Sequence, residues 1–152
     1  MSRKSGRHFL QIPGPSPVPD RILRAISAQT VDHRGPDFAE IGAAALDGMK
    51  TIFKTRQRVV IYPSSGTGAW EAALANTMSQ GARVLMYETG HFAMLWMKMA
   101  RRLGLEPEFI EGDWRGGADP NRIETRLRED KAHEIKAICV VHNETSTGSV
   151  SP

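Results

Sequence analysis

The stretch Ser64-Ser65-Gly66-Thr67-Gly68 has the residue types and the spacing to hold an anion. It is followed over residues 69–75 by a run of strong helix formers. The first N–H groups of a helix have no partner inside it, and the helix dipole adds partial positive charge there. A phosphate suits such a position. The glycines let backbone approach the anion, and Ser65 and Thr67 add hydroxyl donors. The same residues would also suit a plain N-capped helix whose hydroxyls satisfy its own backbone. Two phosphate loops are excluded. A Walker A loop needs Lys-Ser/Thr after its second glycine, and here Gly68 is followed by Ala69-Trp70. The dinucleotide fingerprint needs a third spaced glycine that Gly66-Thr67-Gly68 lacks. A single phosphate on one helix start is the simpler fit.

Two more stretches carry chemistry. Glu88-Thr89-Gly90-His91-Phe92 ends in aromatic rings, and a ring at a loop tip can cover a planar ligand or simply pack. His142-Asn143-Glu144-Thr145-Ser146-Thr147-Gly148 is dense in hydroxyls that could bond a ligand oxygen or their own turn. Glu111 and Asp113 have no histidine beside them and read as solvated turn acids, so no metal site is expected.

These loops need elements to position them. The β-branched run over residues 59–62 predicts a buried strand leading into the serine-glycine turn. Further strands are expected over 83–87, 107–110 and 137–141, with helices over 21–28, 36–53, 93–103 and 121–129. Gly104 closes the third of these helices. The strand–loop–helix order repeats, which describes an α/β sheet with ligand-binding loops at the carboxyl ends of its strands. About four strands would leave an unpaired edge, prone to association. Phe38, Ile41, Ala45, Met49 and Ile52 recur at helical spacing and should face a core.

Bulk properties narrow the class. The chain has 152 residues, 40% hydrophobic and 24% charged, with a net charge of +3, as in a soluble globular protein. Its basic residues are scattered, so no nucleic-acid footprint is seen. Cys139 is the single cysteine and sits in an apolar run, which excludes a disulfide framework. No segment has the length of a membrane span or the pattern of a signal peptide, leaving the cytoplasm as the default location.

The segment Pro63-Ser64-Ser65-Gly66-Thr67-Gly68-Ala69-Trp70-Glu71-Ala72 resembles the phosphate cup of class V pyridoxal-phosphate aminotransferases, in particular the serine–glyoxylate and alanine–glyoxylate group. Four other segments carry the likeness in the same order. They are Pro13-Gly14-Pro15-Ser16-Pro17-Val18-Pro19, Asp32-His33-Arg34-Gly35-Pro36-Asp37-Phe38, the Glu88 stretch and the His142 stretch.

The resemblance implies a cofactor, pyridoxal 5'-phosphate, with Ser65, Gly66 and Thr67 on its phosphate. It also implies Phe92 on the ring face and Thr145 on the phenolic oxygen. It places Gly14 near the substrate carboxylate and the His33 loop near the dimer interface and substrate entrance. The fold implied is the N-terminal part of a type I transferase large domain, a mainly parallel sheet flanked by helices and truncated. Residues 1–20 would form a Pro/Gly arm, residues 21–152 an incomplete cofactor-binding domain, and the C-terminal small domain would be absent. The reaction implied is ping-pong transfer of an amino group from serine or alanine to glyoxylate, in a homodimer. In the family the cofactor-attaching lysine and the aspartate paired with the pyridine nitrogen lie beyond the last loop seen here. No catalytic residue is therefore assigned within these residues, and the isolated chain is expected to be inactive. A non-catalytic phosphate or cofactor-binding module, or a transaminase with another amino donor, remains open from the residues alone.

Overall fold

A computed structural model of the chain describes residues 10–152. The first nine residues of the expected arm lie outside the described residues. The chain divides into two units, one up to Pro63 and one from Ser64 to Pro152.

The N-terminal unit carries two helices, α1 (Asp20–Ile26) and α2 (Pro36–Ile52). Pro36 opens α2 at a position where its missing N–H costs nothing. Asp37 in the first turn and Lys50 in the last suit the helix dipole. Neither helix buries a residue. The apolar stripe expected to face a core is open, with Phe38, Ile41 and Ile52 at 45%, 57% and 71% exposure.

The strand expected over residues 59–62 does not form. This run is irregular, and Val60, Ile61 and Tyr62 are exposed. Strand propensity needs a ladder partner, and none of the described strands pairs with it.

The second unit begins with α3 (Gly66–Thr77). There follow β1 (Arg83–Tyr87), α4 (His91–Arg102), β2 (Glu106–Ile110), α5 (Pro120–Glu129) and β3 (Ile135–Cys139). A short hairpin, β4 (Asn143–Glu144) with β5 (Ser149–Val150), completes it. The three longer strands form a parallel sheet in the order β2-β1-β3.

Central β1 is a continuous apolar run, as a strand covered on both faces requires. Val84, Leu85 and Met86 are each at most 2% exposed. Burial of one such side chain stabilises the fold by about 1.5–3 kcal/mol. Val84 and Met86 join Leu74, Met97, Ala100, Leu105 and Cys139 in one core cluster. Burial pushes the Cys139 thiol up to about 11, so it behaves as an apolar core group. At the strip between sheet and helix, Gly104 takes a φ of 77° and ends α4 in the left-handed conformation that glycine accepts freely.

Register sets the position of the loops. Tyr87 pairs with Ile110, and Met86 pairs with Cys139. The segments following all three strands therefore leave the sheet at one edge, its carboxyl edge.

Candidate active site

Helix α3 starts at Gly66, three residues before the run of helix formers, so both glycines lie in its first turn rather than in a turn ahead of it. Ser65 is its N-cap, and the Ser65 Oγ accepts the Thr67 N–H at 3.3 Å. That bond is long and exposed. A Cβ placed on Gly66 would meet no atom within 4 Å. The space beside Gly66 is thus open among the described residues, as close approach by an anion requires.

Helix α4 begins at His91, two residues earlier than its sequence suggests. Its N-cap residue, Gly90, has no side chain to satisfy the first N–H groups. They are satisfied from a distant loop. Glu144 accepts the Phe92 N–H at 3.3 Å on Oε1 and the Ala93 N–H at 3.1 Å on Oε2. The Ser146 hydroxyl accepts the His91 N–H at 2.9 Å and donates to Glu144 Oε1 at 2.6 Å. The Ser146 N–H adds a further bond to Oε1 at 3.1 Å.

Glu144 is almost wholly buried. Burial alone would raise its pKa, but the bonds from Ser146, Ala93 and Phe92 outweigh it and hold the carboxyl below its ordinary value. The α4 dipole favours the same ionised state. A Cβ on Gly90 would lie 2.6 Å from Glu144 Cγ, so the missing side chain is what admits the carboxylate.

The third loop is closed by the β4–β5 hairpin, where Asn143 pairs with Val150 and Glu144 with Ser149. Gly148, at φ 73°, takes the left-handed turn position, and its N–H donates to the Glu144 carbonyl at 2.8 Å. Buried Ser151 fastens the end of the hairpin. Its hydroxyl accepts the Ala118 N–H at 3.0 Å and donates to the Val141 carbonyl at 3.2 Å.

These three elements enclose a cavity of about 250 Å³. Ser65, Gly66, Thr67, Phe92 and Thr145 all line it. Trp70, Val141 and Asn143 complete the lining. The lining combines hydroxyls and a helix start with aromatic rings, a composition that fits a ligand with one phosphate and one planar ring. Asn143 and Thr145 offer an amide and a hydroxyl. Among the described residues the lining contains no lysine.

Trp70 was not singled out by its sequence. It stacks on Trp96 at 5.1 Å with an interplanar angle of 14° and meets Phe92 edge-on at 6.3 Å. Its signal was its place one turn after the glycines, on the face that carries Gly66. His91 is exposed and lies edge-on to Phe92 at 5.8 Å, outside the lining. Gly14 and His33 belong to the N-terminal unit, where both are exposed. Glu111 and Asp113 line a separate cavity of about 520 Å³ with Tyr87 and Arg122. There the Arg122 guanidinium lies over the Tyr87 ring and donates to the Glu111 carbonyl at 2.7 Å.

Comparison with known proteins is consistent across sequence and structure. The family described as aminotransferase class-V matches residues 8–152. A serine–glyoxylate aminotransferase of Methylorubrum extorquens is 46% identical over 99% of this chain. An L-aspartate–glyoxylate aminotransferase of Paracoccus denitrificans is 43% identical over 90%. The crystal structure of an alanine–glyoxylate aminotransferase from Nostoc sp. superposes with a TM-score of 0.83 at 26% identity, over all of this chain and 41% of that one. The chain spans 38% of the M. extorquens protein and 35% of the P. denitrificans one.

Proposed function

The chain belongs to the class-V aminotransferases, which depend on pyridoxal phosphate, and from that premise we propose that it forms the phosphate- and ring-binding part of a serine–glyoxylate transaminase. The observation that carries this reading is the convergence of Ser65, Gly66, Thr67, Phe92 and Thr145 on one cavity.

In this reading the Ser65 and Thr67 hydroxyls and the α3 N-terminus hold the phosphate. The helix start is already formed and capped without the ligand, which lowers the cost of binding. Phe92 covers one face of the ring, excluding water from it, and Thr145 bonds its phenolic oxygen. When bound, pyridoxal phosphate supplies the electron sink through which an amino group passes between an amino acid and a 2-oxo acid. Glyoxylate is the proposed acceptor, since it recurs in the names of the serine and aspartate relatives. Serine is the proposed donor, with alanine beside it. Gly14 and His33 are proposed as substrate-side residues. The working unit is proposed to be a homodimer, supported by the open apolar stripe of α2. No residue of the cavity lining is proposed as the lysine that attaches the cofactor.

Gly66→Ala tests the pocket. Because a Cβ there meets nothing, the fold should be unaffected. Affinity for pyridoxal phosphate, measured by calorimetry, should fall about ten-fold, equivalent to ~1.4 kcal/mol. Unchanged affinity would show that the phosphate binds elsewhere.

A further inference from the structure

We infer that Glu144 is a positioning residue that fixes Phe92 against Thr145 while leaving the phosphate end of the pocket untouched. The inference rests on reading the cavity as a pyridoxal phosphate site. Glu144 precedes Thr145 directly in the chain, and its carboxylate accepts the N–H of Phe92 itself. One buried side chain therefore spans the two ring contacts, which are more than fifty residues apart in sequence.

The arrangement is reinforced twice. Ser146 binds both the carboxylate and the His91 N–H, so the loop holds the α4 start at successive N–H groups. Gly90 supplies the space, since any Cβ there would overlap Glu144 and Ser146. The carboxylate takes its bonds from Phe92, Ala93 and Ser146, whereas Ser65 caps α3 through the Thr67 N–H.

A residue that only stabilised the fold would weaken every ligand alike. A positioning residue for the ring contacts would spare inorganic phosphate. This difference separates the two roles.

The chain and its Glu144→Ala, Glu144→Gln and Ser146→Ala variants are titrated with inorganic phosphate and with pyridoxal 5'-phosphate by calorimetry. Circular dichroism in the absorption band of the bound cofactor reports ring orientation. In Glu144→Ala, phosphate affinity should stay within about two-fold. Pyridoxal phosphate affinity should fall about ten-fold and the induced band should collapse, the result of misplacing one stacking and one hydrogen-bonding group. Glu144→Gln keeps one acceptor oxygen and should fall between the two. Ser146→Ala keeps both carboxylate bonds to α4 and should show a smaller loss of the same kind, so it carries the test if Glu144→Ala does not fold. An intact induced band with wild-type affinity in Glu144→Ala would overturn the inference. So would an equal loss for both ligands across the folded variants. A wild-type chain that binds neither ligand would instead overturn the proposed function, before any variant is compared.

Discussion

Glu144 ties the stability of the second unit to pH. Its carboxyl is held below its ordinary value in the folded chain, so its contribution is fully present above the unfolded value of about 4.5 and is lost as pH falls through the folded value. An acid titration followed by circular dichroism should show wild type losing stability below about pH 4.5, with a shallower slope in Glu144→Gln. Thr89 presents the opposite case. Its side chain is fully buried, and its Oγ1 has no hydrogen-bond partner among the described residues. An unpaired hydroxyl is a cost, so Thr89→Val should be neutral or stabilising by up to ~1 kcal/mol in urea unfolding. A loss of more than that would reveal a partner for the hydroxyl. Neither residue lines the cavity. Their effects on stability can therefore be measured apart from ligand contacts.

At the scale of elements, the carboxyl edge of the sheet depends on close backbone approaches. A Cβ on Gly112 would come within 1.9 Å of the Glu88 carbonyl oxygen. Gly112→Ala must push the β2 exit away from the β1 exit, at a cost of about 2–3 kcal/mol in urea unfolding. The Gly112 N–H and the Trp114 indole both bind Glu88, and those bonds would be disturbed with it. Local sequence announced some of these elements and hid others. The neighbourhood of the α3 start was legible because its cap, Ser65, and its glycines are neighbours in the chain, although the helix takes in both glycines and begins three residues before the helix formers. The start of α4 was not, since Gly90 offers no cap and the capping carboxylate lies in β4, far along the sequence. The three paired strands were legible from their apolar runs. Residues 59–62 look just as strand-like, but propensity cannot say whether a partner strand is present. The β4–β5 hairpin was hidden by its length, two residues a side, although Gly148 marks its turn.

At the scale of the whole molecule, the two units differ in how much they bury. The second has a core cluster spanning α3, α4 and the sheet, while α1 and α2 bury nothing. Each unburied apolar residue of α2 forfeits part of the ~1.5–3 kcal/mol that full burial provides, and such a stripe favours association. Sedimentation should show concentration-dependent self-association that Ile41→Glu with Ile52→Glu reduces at least about ten-fold in affinity, since charges are costly in an apolar contact. A chain that stays monomeric at all concentrations would remove the support that α2 lends to a dimer. The aromatic stack gives the molecule one more property. Trp70 lines the cavity and is stacked on Trp96, so indole emission originates within contact distance of whatever enters. The protein thus carries an intrinsic fluorophore at its pocket: ligand arrival should quench its light, and Trp70→Phe should silence that signal while Trp114, outside the pocket lining, continues to glow.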